Sequence, residues 1–233
     1  FMDKSLSAVQ SGAKSFNETV APKIGKAVND AAESAGKAIA DGSDKIASAG
    51  KNAKDTVMNQ LDVNHDGNVD IVDIITLGLK TPGIKVNREQ FLKKELTIHY
   101  DEETVKKAIA ETPVAAKIPA EDIDKIADAV IQYERYFVSG ISTALGAPGG
   151  AAMVATIPAD IIQYYGYMLR AAQKLMYLYG FPQIVSEDDE TQIDSATMNL
   201  LVVAMGVMFG VAGANNAVKA MAKALGNGVE KQL

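Results

Sequence analysis

The sequence predicts an all-α fold: a multi-helix bundle with a long N-terminal amphipathic helical arm and an EF-hand-like loop. Three observations predict it. Apolar residues recur at steps of three and four over most of the chain, as in "KIPAEDIDKIADAVIQYERYF", which is the period of an amphipathic helix. The alternation of apolar and polar residues that marks a half-buried strand is absent. Capping residues at one end and Gly or Pro at the other bracket the periodic stretches.

The arm comes first. Residues 5–60 are rich in Ala, Gly, Ser, Lys and Asp. Their small apolar residues fall in rows, such as Val9, Val20, Ala31, Gly42, Ala53 and Ala13, Ile24, Ala35, Ile46, Val57. Each row steps by 11 residues, about 3.67 per turn. The result is one narrow stripe on a long helix, interrupted near Pro22 and at "ADGSD". A stripe of alanines buries little area, so the expectation is an arm packed on its own body or on a second copy. A lipid-surface helix is the alternative.

The stretch "DVNHDGNVDIVD", residues 62–73, follows. Ca²⁺ needs six to eight hard oxygens from a short, sharply turned segment, and an EF-hand loop supplies them from positions 1, 3, 5, 7, 9 and 12 with Gly at 6. Counted from Asp62, these are Asp62, Asn64, Asp66, the Asn68 carbonyl, Asp70 and Asp73, with Gly67 at position 6. Carboxylates this close repel one another without a cation. A polar turn that merely caps the next helix would account for Asp70, but not for Asp62, Asn64, Asp66 and Gly67 together. Ile71, Ile74, Ile75 and Leu77 then continue at helical spacing. The Asp at position 12 resembles the calcium loops of dockerins, whose pattern D-x-N-x-D-G-x-V-x-x-x-D-x-x-x-L matches Asp62 through Leu77. Dockerins carry two such repeats and this chain has one, so a cohesin partner does not carry over. A structural ion joining arm to body is the expected role.

The body begins near residue 81. "VNREQF" carries Asn87 as N-cap, Gln90 at N3 and Val86 opposite Phe91 as a staple. "YDEETVKKAIAETP" starts at Asp101 and must stop before Pro113. The next helix opens at Pro119, with Ile123, Ile126, Val130, Tyr133 and Phe137 on one face. The last aromatic helix takes Thr156 as cap with Pro158 in its first turn, and ends at Gly180. Tyr136–Ala159 and Ser195–Val218 carry no charge. Each is long enough to cross a bilayer, but Pro148, Gly149 and Gly150 interrupt the first. Buried core helices are the expectation, with membrane insertion as the alternative. The organisation is then 1–56 arm, 57–80 calcium loop with flanking helices, and 81–233 helical domain.

Composition excludes several classes. There is no cysteine, hence no disulfide framework or thiol chemistry. His65 and His99 are far apart, which removes most zinc patterns. A net charge of −6 argues against nucleic acid as a partner. No signal peptide follows Met2, and a cytoplasmic location, peripheral at the membrane, is expected.

From about Val86 to about Ala224 the chain resembles the EcsC protein family. The likeness rests on "REQFLKKEL", "GAPGGAAMVATIPADIIQYY", "RAAQKLMYLYGFP" and "GVMFGVAGAN". Pro148, Gly149, Gly150, Pro158, Asp160, Gln163, Gln173, Tyr179 and Gly180 carry the match. The resemblance implies a bacterial helical protein linked to membranes, and little chemistry.

On the aromatic helix Asp160, Gln163, Tyr167, Arg170 and Lys174 step by three and four and share a face. Asp160, Gln163, Tyr167 and Arg170 are the candidate ligand-binding residues. A solvated face ordered by the helix dipole is the other account. No catalytic set is visible: there is no Ser in a Gly-rich elbow, no paired His and no phosphate loop. The functional expectation is a non-enzymatic, Ca²⁺-binding helical protein of the EcsC type, acting as a membrane-associated or partner-binding module. Its expected partners are a lipid surface, a membrane protein, or a second copy through the arm. The rivals are a hydrolase-type enzyme built around Asp160 and a membrane-inserting toxin using the two uncharged segments.

Overall fold

The computed structural model describes residues 59–67, 69–145, 152–185, 193–208, 214–216 and 219. The N-terminal arm and Asn68 lie outside the described residues. Those described are 69% helical and contain no strand, so the fold is all-α.

Six helices follow one another: α1 (Ile71–Lys80), α2 (Arg88–Leu96), α3 (Glu102–Ala110), α4 (Ala120–Leu145), α5 (Ala152–Leu178) and α6 (Ser195–Met208). Local chemistry sets most of their ends. Asp70 caps α1 by accepting from the Val72 and Asp73 amides, and Asp73 returns the bond to the Asp70 amide. This is a capping box with Asp in place of Glu. Asn87 accepts from the Gln90 amide at 2.8 Å, and Asp101 caps α3 through the Glu103 and Thr104 amides. α5 closes in a Schellman motif. The Phe181 amide reaches the Met176 carbonyl at 2.9 Å and the Gly180 amide reaches Tyr177 at 3.2 Å. That geometry needs the left-handed backbone Gly180 adopts, φ +91°.

Two elements depart from the local signals. α5 begins at Ala152 rather than at the Thr156 cap, so Pro158 lies inside it. Proline's fixed φ suits a helix, but inside one it removes an N–H bond and crowds the carbonyl four residues back. On α4, Ile123, Ile126 and Val130 are buried as expected, but Tyr133 is 54% and Phe137 38% exposed. The buried stripe continues through Glu134 instead, where α5 presents Arg170 and Lys174 to it.

α5 is the spine. It packs against α1, α2, α4 and α6. Its Leu169, Ala172 and Met176 join one apolar cluster with Ile71, Ile74 and Ile75 of α1 and Leu201 and Met205 of α6. Its Tyr177 and Leu178 join a second, with Phe91 and Leu92 of α2, Val105 of α3 and Ile123 of α4. Leu61, Val69 and the apolar face of α1 thus share a core with the body. α4 and α5 run antiparallel: Asp124 meets Tyr179, Glu134 meets Arg170, and Phe137 meets Tyr167.

The connector from α1 to α2 passes between these clusters with Ile84 and Val86 buried. Its backbone groups are met by α5. Gln173, fully buried, accepts from the Val86 amide at 3.1 Å and donates to the Ile84 carbonyl at 3.0 Å. Tyr177 donates to the Val86 carbonyl at 3.2 Å. Arg88 spans to the carbonyls of Phe181, Ile109 and Glu111, tying the end of α3 to the end of α5. Among the described residues no buried side-chain nitrogen or oxygen lacks a partner.

α1 crosses α5 at two glycines. A Cβ on Gly166 would lie 3.1 Å from Ile84 Cδ1 and 3.9 Å from Gly78 Cα, and one on Gly78 would lie 2.8 Å from Leu169 Cδ1. There is no room for a side chain in this crossing. Gly166→Leu should therefore lower stability by about 2 kcal/mol or more through overpacking, read as an earlier urea midpoint with an unchanged slope.

Candidate calcium loop and the polar row of the long helix

The loop is closed by its own carboxylates. Residues 59–61 are helical and Leu61 is fully buried. The chain then turns through His65, φ 57°, and Gly67, φ 86°. A left-handed residue is cheap for Gly and costly for a residue with a Cβ. Asp62 accepts from the Asp66 amide at 3.1 Å through Oδ1 and from the Gly67 amide at 2.9 Å through Oδ2. Asn64 Oδ1 also accepts from Asp66, at 2.9 Å. From the far end, Asp73 Oδ1 reaches back to the amides of Val63 and Asn64 at 3.0 and 3.3 Å. The last acid of the segment is thus held against the backbone that follows the first.

Both are buried: Asp62 is 9% and Asp73 1% exposed. Burial, set against these amide bonds and joined by the neighbouring Asp70 charge, pushes the Asp73 carboxyl above its ordinary range. Among the described residues no Lys or Arg pairs with either acid. Asn64 and Asp66 are exposed and Asp70 is half-buried. Among the described residues no three acidic or histidine side chains already converge on a metal position. The donor set is all hard oxygen, which suits Ca²⁺ over a transition metal, but its exposed members must turn inward to complete a shell. Val69, the apolar residue at position 8, is buried.

The polar row of α5 divides in the structure. Asp160 lies on the helix with its side chain outside those described. Gln163 is half-buried. Tyr167 packs edge-on to Phe137, centroids 5.1 Å apart, beneath the Arg170 guanidinium at 4.8 Å. Arg170 is engaged: Nε and Nη2 both donate to Glu134 Oε2, at 3.0 and 2.7 Å, and Lys174 donates to Oε1 at 2.6 Å. The Lys174 ammonium lies 5.5 Å from the Tyr133 ring centroid and 5.6 Å from that of Phe91. A buried carboxylate between two cations, flanked by four rings, joins α4 to α5. Sequence spacing placed Arg170 and Lys174 on one face but did not point to Glu134; the signal lay in its position four residues after buried Val130.

The tyrosines separate by depth. Tyr177 is fully buried, Tyr165 and Tyr167 are half-buried, and Tyr164 and Tyr179 are exposed. Tyr179 bonds Asp124 Oδ1 at 2.6 Å. That bond, then partial burial and the charges of Asp124 and Asp128, pushes the phenol up to about 12.

Comparison of the chain with protein-family models, with curated proteins and with solved structures gave no match.

Two outcomes follow from this geometry. Glu134→Ala leaves two cations facing each other across a mostly dry contact. It should cost roughly 3 kcal/mol in urea unfolding, the low end for a broken buried pair because both cations keep some water. Glu134→Gln should cost less, since it still accepts a hydrogen bond. Separately, ultraviolet titration should show the Tyr179 phenol ionising near pH 12, and Asp124→Asn should lower that value toward the ordinary tyrosine range of about 10, with partial burial and Asp128 still holding it up. The native phenol holds its proton more tightly than the unfolded one. Its contribution to stability is therefore complete below about pH 10 and disappears as pH rises through about 12.

Proposed function

We propose that the chain is a non-enzymatic, calcium-binding helical protein of the EcsC type, in which one Ca²⁺ closes the 62–73 loop, and that it works as a membrane-associated or partner-binding module in the cytoplasm. The observation that supports the calcium reading best is that Asp62 and Asp73 are both buried, with Asp73 bonded to the Val63 and Asn64 amides that follow Asp62 in the chain, and that neither has a cationic partner among the described residues. A buried carboxylate without counter-charge is costly. A divalent cation removes that cost for several acids at once. Asp62, Asn64, Asp66, the Asn68 carbonyl, Asp70 and Asp73 would hold it, and it would supply charge and crosslinking rather than chemistry. Because Asp70 and Asp73 also form the cap of α1, an ion here would fasten the start of the helix that crosses α5.

The enzyme reading would draw on Asp160, Gln163, Tyr167 and Arg170. The engagement of Arg170 by Glu134 and two rings favours a structural duty for that side chain. The membrane-inserting reading is served by the uncharged segments, although no described helix is long and apolar enough to cross a membrane.

Calorimetric titration of EDTA-stripped protein with CaCl₂ should show one site per chain, with weaker binding of Mg²⁺, whose strict octahedral shell suits a flexible loop poorly. At free Ca²⁺ about a hundredfold above Kd, stability should rise by about 2.7 kcal/mol, visible as a higher Tm. Asp62→Ala and Asp66→Ala should each abolish both signals. A flat trace at millimolar Ca²⁺ would refute the site.

A further inference from the structure

Asp66–Gly67 lies inside the 62–73 loop, and it carries a chemistry that needs no ion. An Asp–Gly pair closes on itself, because glycine places no side chain beside the nitrogen that attacks. With the Asp66 carboxyl protonated, the Gly67 nitrogen adds to Asp66 Cγ. The carboxyl hydroxyl departs with the amide proton as water, and a cyclic imide forms. Water then adds back at either imide carbonyl. Opening at one restores aspartate. Opening at the other leaves isoaspartate, in which the chain runs on through Cβ and Cγ. The local structure leaves room for the ring. Asp66 is exposed, and nothing lies within 4 Å of where a Cβ on Gly67 would sit.

A hydrogen bond stands in the way of that closure. The imide nitrogen carries no hydrogen, so forming the ring forfeits the bond that the Gly67 amide donates to Asp62 Oδ2 at 2.9 Å. The same carboxylate holds the Asp66 amide through Oδ1 at 3.1 Å. Asp62 is buried, so the group that restrains the turn is fixed while the reactive acid faces water. The turn leans on such bonds. His65, next to Asp66, sits at φ 57°, a conformation that costs a residue with a Cβ and persists only where its surroundings impose it.

We propose that Asp66–Gly67 is a site of spontaneous isomerisation to isoaspartate, and that Asp62 gates it by holding the Gly67 amide. A loop that keeps the Asp62 bonds keeps its aspartate, and a loop that opens locally exposes the pair to closure. The product reinforces the opening. Isoaspartate adds one methylene between the two amides that Asp62 now holds, so both cannot be met at their present spacing. The inference is independent of the calcium reading.

The full chain is aged at neutral pH and physiological temperature in EDTA, and isoaspartate is read by mass spectrometry after trypsin. Lys54 and Lys80 bound a stretch without Lys or Arg, so residues 55–80 leave as one peptide. The other pairs of this kind, Asp41–Gly42 and Asn227–Gly228, fall in different peptides. The same chain unfolded in guanidinium chloride sets the ungated rate. The folded chain should form isoaspartate at 66 at least about tenfold more slowly, the worth of one charge-assisted hydrogen bond. Asp62→Ala should approach the unfolded rate. Asp62→Asn, which keeps one accepting oxygen, should fall between, and it carries the comparison should circular dichroism show Asp62→Ala misfolded. Glu134→Ala, destabilised away from the loop, should age like the wild type. Equal rates in folded and unfolded wild-type chains would overturn the gate. A folded Asp62 variant as slow as the wild type would overturn the role of Asp62. Glu134→Ala ageing as fast as Asp62→Ala would make global unfolding the route and overturn local gating. No isoaspartate at 66 even in the unfolded chain would overturn the site itself.

Discussion

The structure depends on how a non-helical connector is carried through the middle of a helical core. Residues 84–86 join α1 to α2 between two apolar clusters, and a buried backbone amide or carbonyl left unmet costs about 1–3 kcal/mol. Gln173 answers this with both ends of one amide, accepting from Val86 and donating to Ile84. No apolar residue could do so, and Glu would bring a charge into a dry site. The bonds fix the height and rotation of α5 relative to the connector. Every other helix packs on α5 directly or, like α3, on one that does.

Fixing α5 in this way lets α1 approach it backbone to backbone. Gly78 and Gly166 face each other with no side chain between them, and the 62–73 loop stands at the near end of the same α1. The loop is therefore part of the core assembly: Leu61 and Val69 on its two sides bury in the cluster that holds Leu169 and Met176 of α5. A change in charge or order in the loop is felt at the start of a helix whose other end is clamped. The same position lets Asp73 serve at once as part of the α1 cap and as the residue that closes the loop.

Along α4 and α5 the electrostatics run from wet to dry. At one end Tyr179 and Asp124 share a short exposed hydrogen bond. In the middle Glu134 is shielded between Arg170, Lys174 and aromatic rings. Past that point the sequence supplies almost no charge. Burying an ion triad contributes little net stability compared with apolar packing, but it permits one register of α4 against α5, because a slip by one residue would leave Arg170 and Lys174 facing Tyr133 or Arg135.

By itself the sequence determined the helical class, most helix ends, and the one loop rich in oxygen donors. These are local matters: a cap needs a side chain two or three residues from its amide, and a Gly in left-handed backbone is read directly from the chain, as at Gly67 and Gly180. The helical period likewise marked Ile123, Ile126 and Val130 as core. Tertiary structure decided what no local window contains. It turned Glu134 inward and Tyr133 and Phe137 outward, because that choice depends on where α5 presents Arg170. It carried α5 back past Thr156 to Ala152, where no capping residue marks the start. It bonded Asp73 back to the Val63 and Asn64 amides at the start of the loop, and it gave Gln173 its role, which depends on bonds to residues more than eighty positions away. Spacing along a chain records which face a residue occupies, and only the packed structure establishes what that face meets.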